Sequence, residues 1–277
     1  MTADSFAAGR FDGKVAVITG SSQGLGEATA RLMAERGAAG VVVCGRDGDK
    51  ANAVARSLGC ATEVVVADLA DPTAPETIMN AADAAFGRVD VLVNAAALTV
   101  RGSVWNTDAE LWDRMFAVNT RSPALLISAA ARIMKREGAA GSIVNVGSVA
   151  AHGGQDFLYP YSASKLALQA VTRNAAFSLM RHRIRVNLVQ PGWMATPGED
   201  VIQKRFHGAD DGWLDDAAAG LPFGRLIDPL ELARTLCHLA SDESGMMTGA
   251  VIDFDQTVTG AGDAPRPDLA PVWGEDE

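Results

Sequence analysis

Short runs of β-branched residues recur along the chain between longer segments in which alanine and leucine return at helical spacing. Lys14–Thr19, Gly40–Cys44, Thr62–Ala67, Val89–Val93, Ser142–Val146, Arg185–Val189 and Ala250–Phe254 read as strands. These runs are almost continuously apolar, which predicts strands covered on both faces rather than on one. Strands that alternate with helical segments imply βαβ units, hence an α/β fold with a parallel sheet of about seven strands and helices on both faces. Asp71-Pro72 and Asp228-Pro229-Leu230-Glu231 predict helix starts, an acidic cap followed by proline at the first helical position. Thr107 with Glu110 predicts a third, as a capping box. Leu111–Met134 and Pro160–Met180 are expected to be long helices, long enough to pack against other copies of the chain.

Composition narrows this picture. A chain of 277 residues, 48 % hydrophobic, can bury one large core and need not divide. We expect a single domain over residues 11–260, a flexible segment over 1–10 and a tail over 261–277. The formal net charge of −10 argues against partners with phosphate backbones or anionic membranes, which reward basic surfaces. Residues 1–10 lack the pattern of a signal peptide, and no run of about 18 apolar residues offers a membrane span. Cys44, Cys60 and Cys237 are odd in number and widely spaced, unlike a disulfide framework or a metal-ligand set. A soluble, cytoplasmic protein in a reducing compartment is the expectation.

Candidate chemistry begins at Thr19-Gly20-Ser21-Ser22-Gln23-Gly24-Leu25-Gly26, between the first strand and the first helix. Glycines there permit a tight turn and close backbone approach, so that helix amides and the positive end of the helix dipole can hold a pyrophosphate. The position favours a dinucleotide site, and with it a single-domain doubly wound (Rossmann) sheet. The end of the second strand, where an acid would bond a ribose 2′-hydroxyl, carries Gly45 and then Arg46. A guanidinium suits a 2′-phosphate, which favours NADP(H) and leaves NAD(H) open. The other reading of Arg46 is a solvated loop cation balanced by Asp47 and Asp49.

The second feature is Tyr161-Ser162-Ala163-Ser164-Lys165, whose spacing places tyrosine and lysine on one helix face. A phenol that acts as a base near neutrality needs its pKa lowered by roughly 3 units, about 4 kcal/mol, and a nearby ammonium, helped by an oxidised nicotinamide, supplies charge of the right sign. Ser148 follows the strand Ser142–Val146 and so sits at a carboxyl end, where open α/β sheets bind ligands.

Taken together, these residues resemble the short-chain dehydrogenase/reductase family from about Phe11 to Asp255. The glycine motif matches Thr19–Gly26, the acid that contacts adenine matches Asp68 beside Leu69, and the structural Asn-Ala-Gly segment matches Asn94-Ala95-Ala96-Ala97. In the last match alanine replaces both the second asparagine and the final glycine. The resemblance implies a catalytic set of Asn119, Ser148, Tyr161 and Lys165, with the tyrosine 13 positions after the serine. It also implies cofactor contacts from Gly20, Ser22, Gln23, Gly24, Leu25, Gly26, Arg46, Asp68, Leu69, Asn94, Ala95, Ala96, Tyr161 and Lys165. Pro191, Gly192, Met194 and Thr196 resemble the segment that binds the nicotinamide carboxamide. On this resemblance Tyr161 exchanges a proton with substrate, Ser148 bonds the same oxygen, Lys165 lowers the tyrosine pKa and bonds a ribose, and Asn119 positions a relay water.

Ala150, His152, Tyr159 and Trp193 are candidate pocket residues, and a substrate loop is expected over about 193–223, holding Trp193, Met194, Phe206, His207 and Trp213. Those side chains either close over a ligand or pack against a partner subunit. His152, His182, His207 and His238 do not cluster at ligand spacing, so no metal site is expected. The implied function is hydride transfer between nicotinamide and a small alcohol or carbonyl compound, a sugar, polyol or other hydroxy compound being favoured. Alternatives are a 3-oxoacyl-thioester reductase, a dehydratase or epimerase with transient cofactor use, and a non-catalytic dinucleotide-binding regulator. The resemblance further implies a homotetramer or homodimer.

Overall fold

The computed structural model describes residues 10–258, so the expectations for residues 1–9 and for the 261–277 tail lie outside the described residues. Seven strands form one parallel sheet: β1 (Val15–Thr19), β2 (Gly40–Gly45), β3 (Ala61–Val66), β4 (Val91–Asn94), β5 (Ser142–Val146), β6 (Arg185–Pro191) and β7 (Val251–Phe254). Their order is β3-β2-β1-β4-β5-β6-β7, the doubly wound arrangement. Every strand falls on an expected run, with ends displaced by a residue or two.

The apolar runs are continuous because each strand feeds two cores. Ile18, Val43, Val93 and Val144 face one layer, containing α1 (Gly24–Glu35), α2 (Gly48–Ser57) and α9 (Pro229–Ala240). Val17, Val42, Leu92 and Ile143 face the other, containing α3 (Ala74–Phe86), α5 (Ser122–Arg136) and α6 (Tyr159–Leu179). The strand order reverses between β1 and β4, whose carboxyl ends Thr19 and Asn94 are in register. A crevice opens where the two sets of crossovers diverge, the usual ligand position in such sheets.

Three local expectations need correction. Asp228 does cap α9, accepting from the Leu230 amide at 2.8 Å, but Asp71 closes a turn with Thr73 and the next helix starts at Ala74. The helix α4 (Ala109–Phe116) is capped by Asp108, which accepts from Leu111 N at 2.8 Å, while the Thr107 hydroxyl donates to the Ser103 carbonyl. The long helix expected at 111–134 is interrupted by a π-helical turn at Ala117–Arg121. Asn119 lies in that wide turn, a feature that often marks functional sites. No described helix is long and apolar enough to cross a membrane.

Candidate active site

A cavity of about 920 Å³ runs along the carboxyl edge of the sheet. One end is the turn between β1 and α1. Gly20 and Gly24 adopt φ of +70° and +58°, the left-handed region open to glycine, and a Cβ on Gly20 would lie 2.8 Å from the Ala96 Cα. The loop after β4 is therefore pressed against the turn, and Thr19 Oγ1 accepts from Ala95 N and Ala96 N at 3.2 Å each. Alanine at 95–97 is compatible with this packing. Gln23 provides no side-chain cap for α1, and the Gly24, Leu25 and Gly26 amides make no hydrogen bond among the described residues. Uncommitted amides at a helix start that lines a cavity suit a pyrophosphate.

Beside this turn, Gly45 leaves room for Ser22, whose Oγ would lie 2.5 Å from a Cβ there. Arg46 is exposed at the cavity wall and makes no ion pair among the described residues. Asp47 is committed to capping α2 through the Lys50 amide at 3.1 Å. Lys50 also lines the cavity, its Nζ 3.4 Å from Gln23 Oε1, so two cations flank this end. Sequence reasoning missed Lys50, although four residues from Arg46 at a helix start is a readable spacing. Asp68 and Leu69 line the cavity opposite, and Asp68 pairs with Arg114 at 3.0 Å.

The other end holds Ser148, Tyr161 and Lys165. Lys165 is 1 % exposed, and its Nζ donates to the Val146 carbonyl at 2.8 Å. Burial lowers its pKa from 10.5 to about 8, which leaves it mostly charged at neutral pH. For Tyr161 the cofactor-free protein shows the effect of burial. Burial pushes its pKa up to about 12, and a hydrogen bond with Ser148 offsets only part of that rise. The ammonium lies 5.7 Å from the tyrosine ring centre, and without cofactor it does not overcome the loss of hydration. The phenol is thus protonated at neutral pH, the state that carbonyl reduction would require.

Asn119 is 1 % exposed and tied into the scaffold: Oδ1 accepts from Leu98 N at 2.8 Å, and Nδ2 donates to Leu98 O at 2.9 Å and to Ser164 Oγ at 3.0 Å. Its amide joins the loop after β4 to α6 and does not line the cavity. Asn94 is likewise buried, donating to Asn145 Oδ1 at 2.8 Å. Pro191, Gly192, Met194 and Thr196 line the cavity, with Thr196 capping α7 (Pro197–His207) through the Glu199 amide at 3.1 Å.

Of the candidate pocket residues, Ala150 and Trp193 line the cavity while His152 and Tyr159 do not. His152 points away to Asp253 and Gln190, at 3.1 Å from each. Tyr159 packs on Trp112 with ring centres 5.6 Å apart. The expected substrate loop is largely helical, containing α7 and α8 (Trp213–Ala219); Trp213 stacks on Trp193 at 5.8 Å and donates to Asp200 of α7 at 2.8 Å. The cavity wall also contains Arg101, Gln155, Phe157, Glu199, Gln203 and His207, none singled out as a pocket residue except His207 as part of the loop. No described cluster of three or more His, Cys, Asp or Glu residues could hold a metal ion.

A doubly wound sheet with an amide-lined glycine turn at one end of its crevice and a serine, tyrosine and lysine at the other defines a dinucleotide-dependent oxidoreductase. The family described as enoyl-(acyl carrier protein) reductase matches residues 20–259. A cis-4-hydroxycyclohexanecarboxylate dehydrogenase of Sinomonas cyclohexanicum is 37 % identical, over 88 % of this chain and 96 % of its own length. A galactitol 2-dehydrogenase of Agrobacterium fabrum is 30 % identical, over 89 % and 97 % respectively. A solved short-chain dehydrogenase/reductase family protein superposes with a TM-score of 0.78 at 34 % identity, covering 89 % of this chain and 97 % of that one. The chain belongs to the short-chain dehydrogenase/reductase family, and it is an oxidoreductase of CH–OH and C=O groups that uses a nicotinamide cofactor.

Proposed function

We propose that this enzyme uses NADP(H) in preference to NAD(H) and reduces or oxidises a compact, polar carbonyl or hydroxy compound of the sugar or polyol type. The observation that carries the reading is the continuity of one cavity from the Arg46 and Lys50 cations, past the uncommitted amides of α1, to Ser148 and Tyr161. Two positive side chains beside the end of β2 suit a 2′-phosphate, while the neighbouring Asp47, 4.0 Å from Lys50 Nζ, is held by its capping bond to α2. Nicotinamide, when bound, supplies or takes the hydride. Tyr161, protonated at neutral pH, hands its proton to the carbonyl oxygen in reduction, and Ser148 bonds that oxygen as charge grows on it. Lys165 keeps a positive charge beneath the phenol and lowers the cost of the phenolate left behind. Asn119 holds the π-helical turn and the loop after β4 in place, which positions α6.

A polar substrate follows from the far wall, where Arg101 and Glu199 would be stripped of water by a steroid or a long acyl chain. That argues against the thioester alternative, and the intact serine and tyrosine argue against a cofactor-sensing protein. The functional unit is one domain over residues 11–260 in a soluble, cytoplasmic homodimer or homotetramer. Leu166 and Phe177, 53 % and 75 % exposed on α6, favour such association.

The test is absorbance of reduced nicotinamide with purified protein, both cofactors and a panel of sugars, polyols, ketones and aldehydes. Turnover with NADPH that drops at least about a thousand-fold in Tyr161→Phe is expected, as for loss of a proton donor. Turnover that survives the substitution refutes the role of Tyr161.

A further inference from the structure

The least explained feature of the cavity is a charge pair in its substrate half. Arg101, on the loop after β4, and Glu199, in the first turn of α7, have side chains only 14 % and 18 % exposed. Their nearest atoms are 3.6 Å apart, too far for a direct hydrogen bond. Each is held from behind. Arg101 Nε donates to His207 Nε2 at 3.0 Å, its NH1 reaches the Thr99 carbonyl at 3.4 Å, and the guanidinium lies 5.3 Å from the Phe157 ring centre. Glu199 Oε1 accepts from Trp193 Nε1 at 3.0 Å and Gln203 Nε2 at 2.7 Å. That leaves Arg101 NH2 and Glu199 Oε2 with no hydrogen bond among the described residues. Both charges act on the Tyr161 phenol, Glu199 raising and Arg101 lowering its proton affinity, so the pair stands close to the reacting end.

Resting on the reading above, we propose that Arg101 and Glu199 form a hydroxyl-binding clamp that selects substrates with a second hydroxyl besides the reacting group. A hydroxyl seated between Arg101 NH2, 3.6 Å from Glu199 Oε1, and the uncommitted Glu199 Oε2 would accept from the first and donate to the second. A carboxylate or ketone oxygen can accept from Arg101 but has no proton for Glu199, and a carboxylate would be repelled by it. An alkyl group satisfies neither. The donor-and-acceptor pair therefore recognises a group that both accepts and donates, as a hydroxyl does, and the fixed positions of both side chains reduce the ordering cost on binding.

The experiment compares cyclohexanol, the 1,2-, 1,3- and 1,4-cyclohexanediols and cis-4-hydroxycyclohexanecarboxylate in two ways. Binding is followed by tryptophan fluorescence, using the Trp193 indole bonded to Glu199, with protein loaded with NADPH so that the alcohols cannot react. Turnover is followed with NADP+. At least one diol is expected to surpass cyclohexanol roughly ten-fold to a hundred-fold in affinity or kcat/KM, as a hydrogen bond to charged groups allows. In Glu199→Gln and Arg101→Lys, checked for folding by thermal melting, that ratio should fall several-fold within each protein. Equal affinity of the wild type for cyclohexanol and every diol, a ratio retained in both variants, or preference for the carboxylate overturns the proposal. The two readings fail separately: turnover without diol preference removes the clamp alone, and diol-selective binding without turnover of any panel compound removes the proposed reaction alone.

Discussion

Lys165 links function and stability, because the buried ammonium placed under Tyr161 is expensive for the fold. Its pKa falls from 10.5 to about 8 on folding, with burial as the cause, and at pH 7 that drop corresponds to about 3 kcal/mol of lost stability. Lys165→Met keeps the length and removes the charge. It also strands the Val146 carbonyl, whose bond to Nζ is 2.8 Å, at a cost of about 1–2 kcal/mol. A net gain of about 1–2 kcal/mol is therefore expected at pH 7, or roughly 2–6 °C in Tm for a domain of this size. A group whose pKa is lowered in the folded state leaves the unfolded chain holding more protons between pH 8 and 10.5, so wild-type stability rises with pH across that window. Near pH 10 most of the penalty has gone while the stranded carbonyl remains, and the variant should equal or fall below the wild type. Calorimetry or urea unfolding of both cofactor-free proteins at pH 7 and pH 10 measures the difference, with loss of turnover as the accompanying readout. A variant less stable than wild type at pH 7, or an advantage that does not shrink by pH 10, refutes the burial argument.

Two further outcomes follow from the cofactor end. Arg46→Gln with Lys50→Gln should raise the NADPH dissociation constant roughly ten-fold to a hundred-fold, for the loss of two charged contacts, and leave NADH within about three-fold. Unchanged selectivity in fluorescence titrations would show that neither cation reads the 2′-phosphate. Gly20→Ala puts a Cβ 2.8 Å from Ala96 Cα and 2.9 Å from its amide nitrogen at φ +70°, where backbone atoms cannot step aside cheaply. We expect a loss of at least about 2 kcal/mol in urea unfolding together with weakened cofactor binding, and a silent substitution would contradict the packing of the two loops.

What the sequence disclosed and what it hid divide by range. The strands were readable because β1, β2 and β5 are buried on both faces and so carry unbroken apolar runs. Gly20–Gly26, Ser148 and Tyr161 with Lys165 were readable because a few adjacent positions encode each geometry. Local signals misled where two capping residues competed: Asp108 outcompetes Thr107, and Asp71 spends its carboxylate on a turn before α3. The π-helical turn at Asn119 has no spacing signature, since it arises from contacts with Leu98 and Ser164 that are distant in sequence. In the cofactor-free protein the tyrosine pKa is raised, because spacing reports a neighbouring charge but not the burial around the phenol.

The same division explains why the reaction class was legible while the substrate was not. Arg101 lies in a loop after β4, Glu199 and His207 lie about a hundred positions later on α7, and nothing local marks any of them as a partner of another. His152, four residues past Ser148, was the nearer candidate by sequence, yet the turn at Val149–His152 carries it to Asp253 and out of the cavity. A cofactor of fixed shape can be met by contiguous turns, and such turns leave motifs. The proposed substrate wall is assembled from separate loops and leaves none, so its specificity rests on where Arg101 and Glu199 are held and on the hydrogen bonds that they lack.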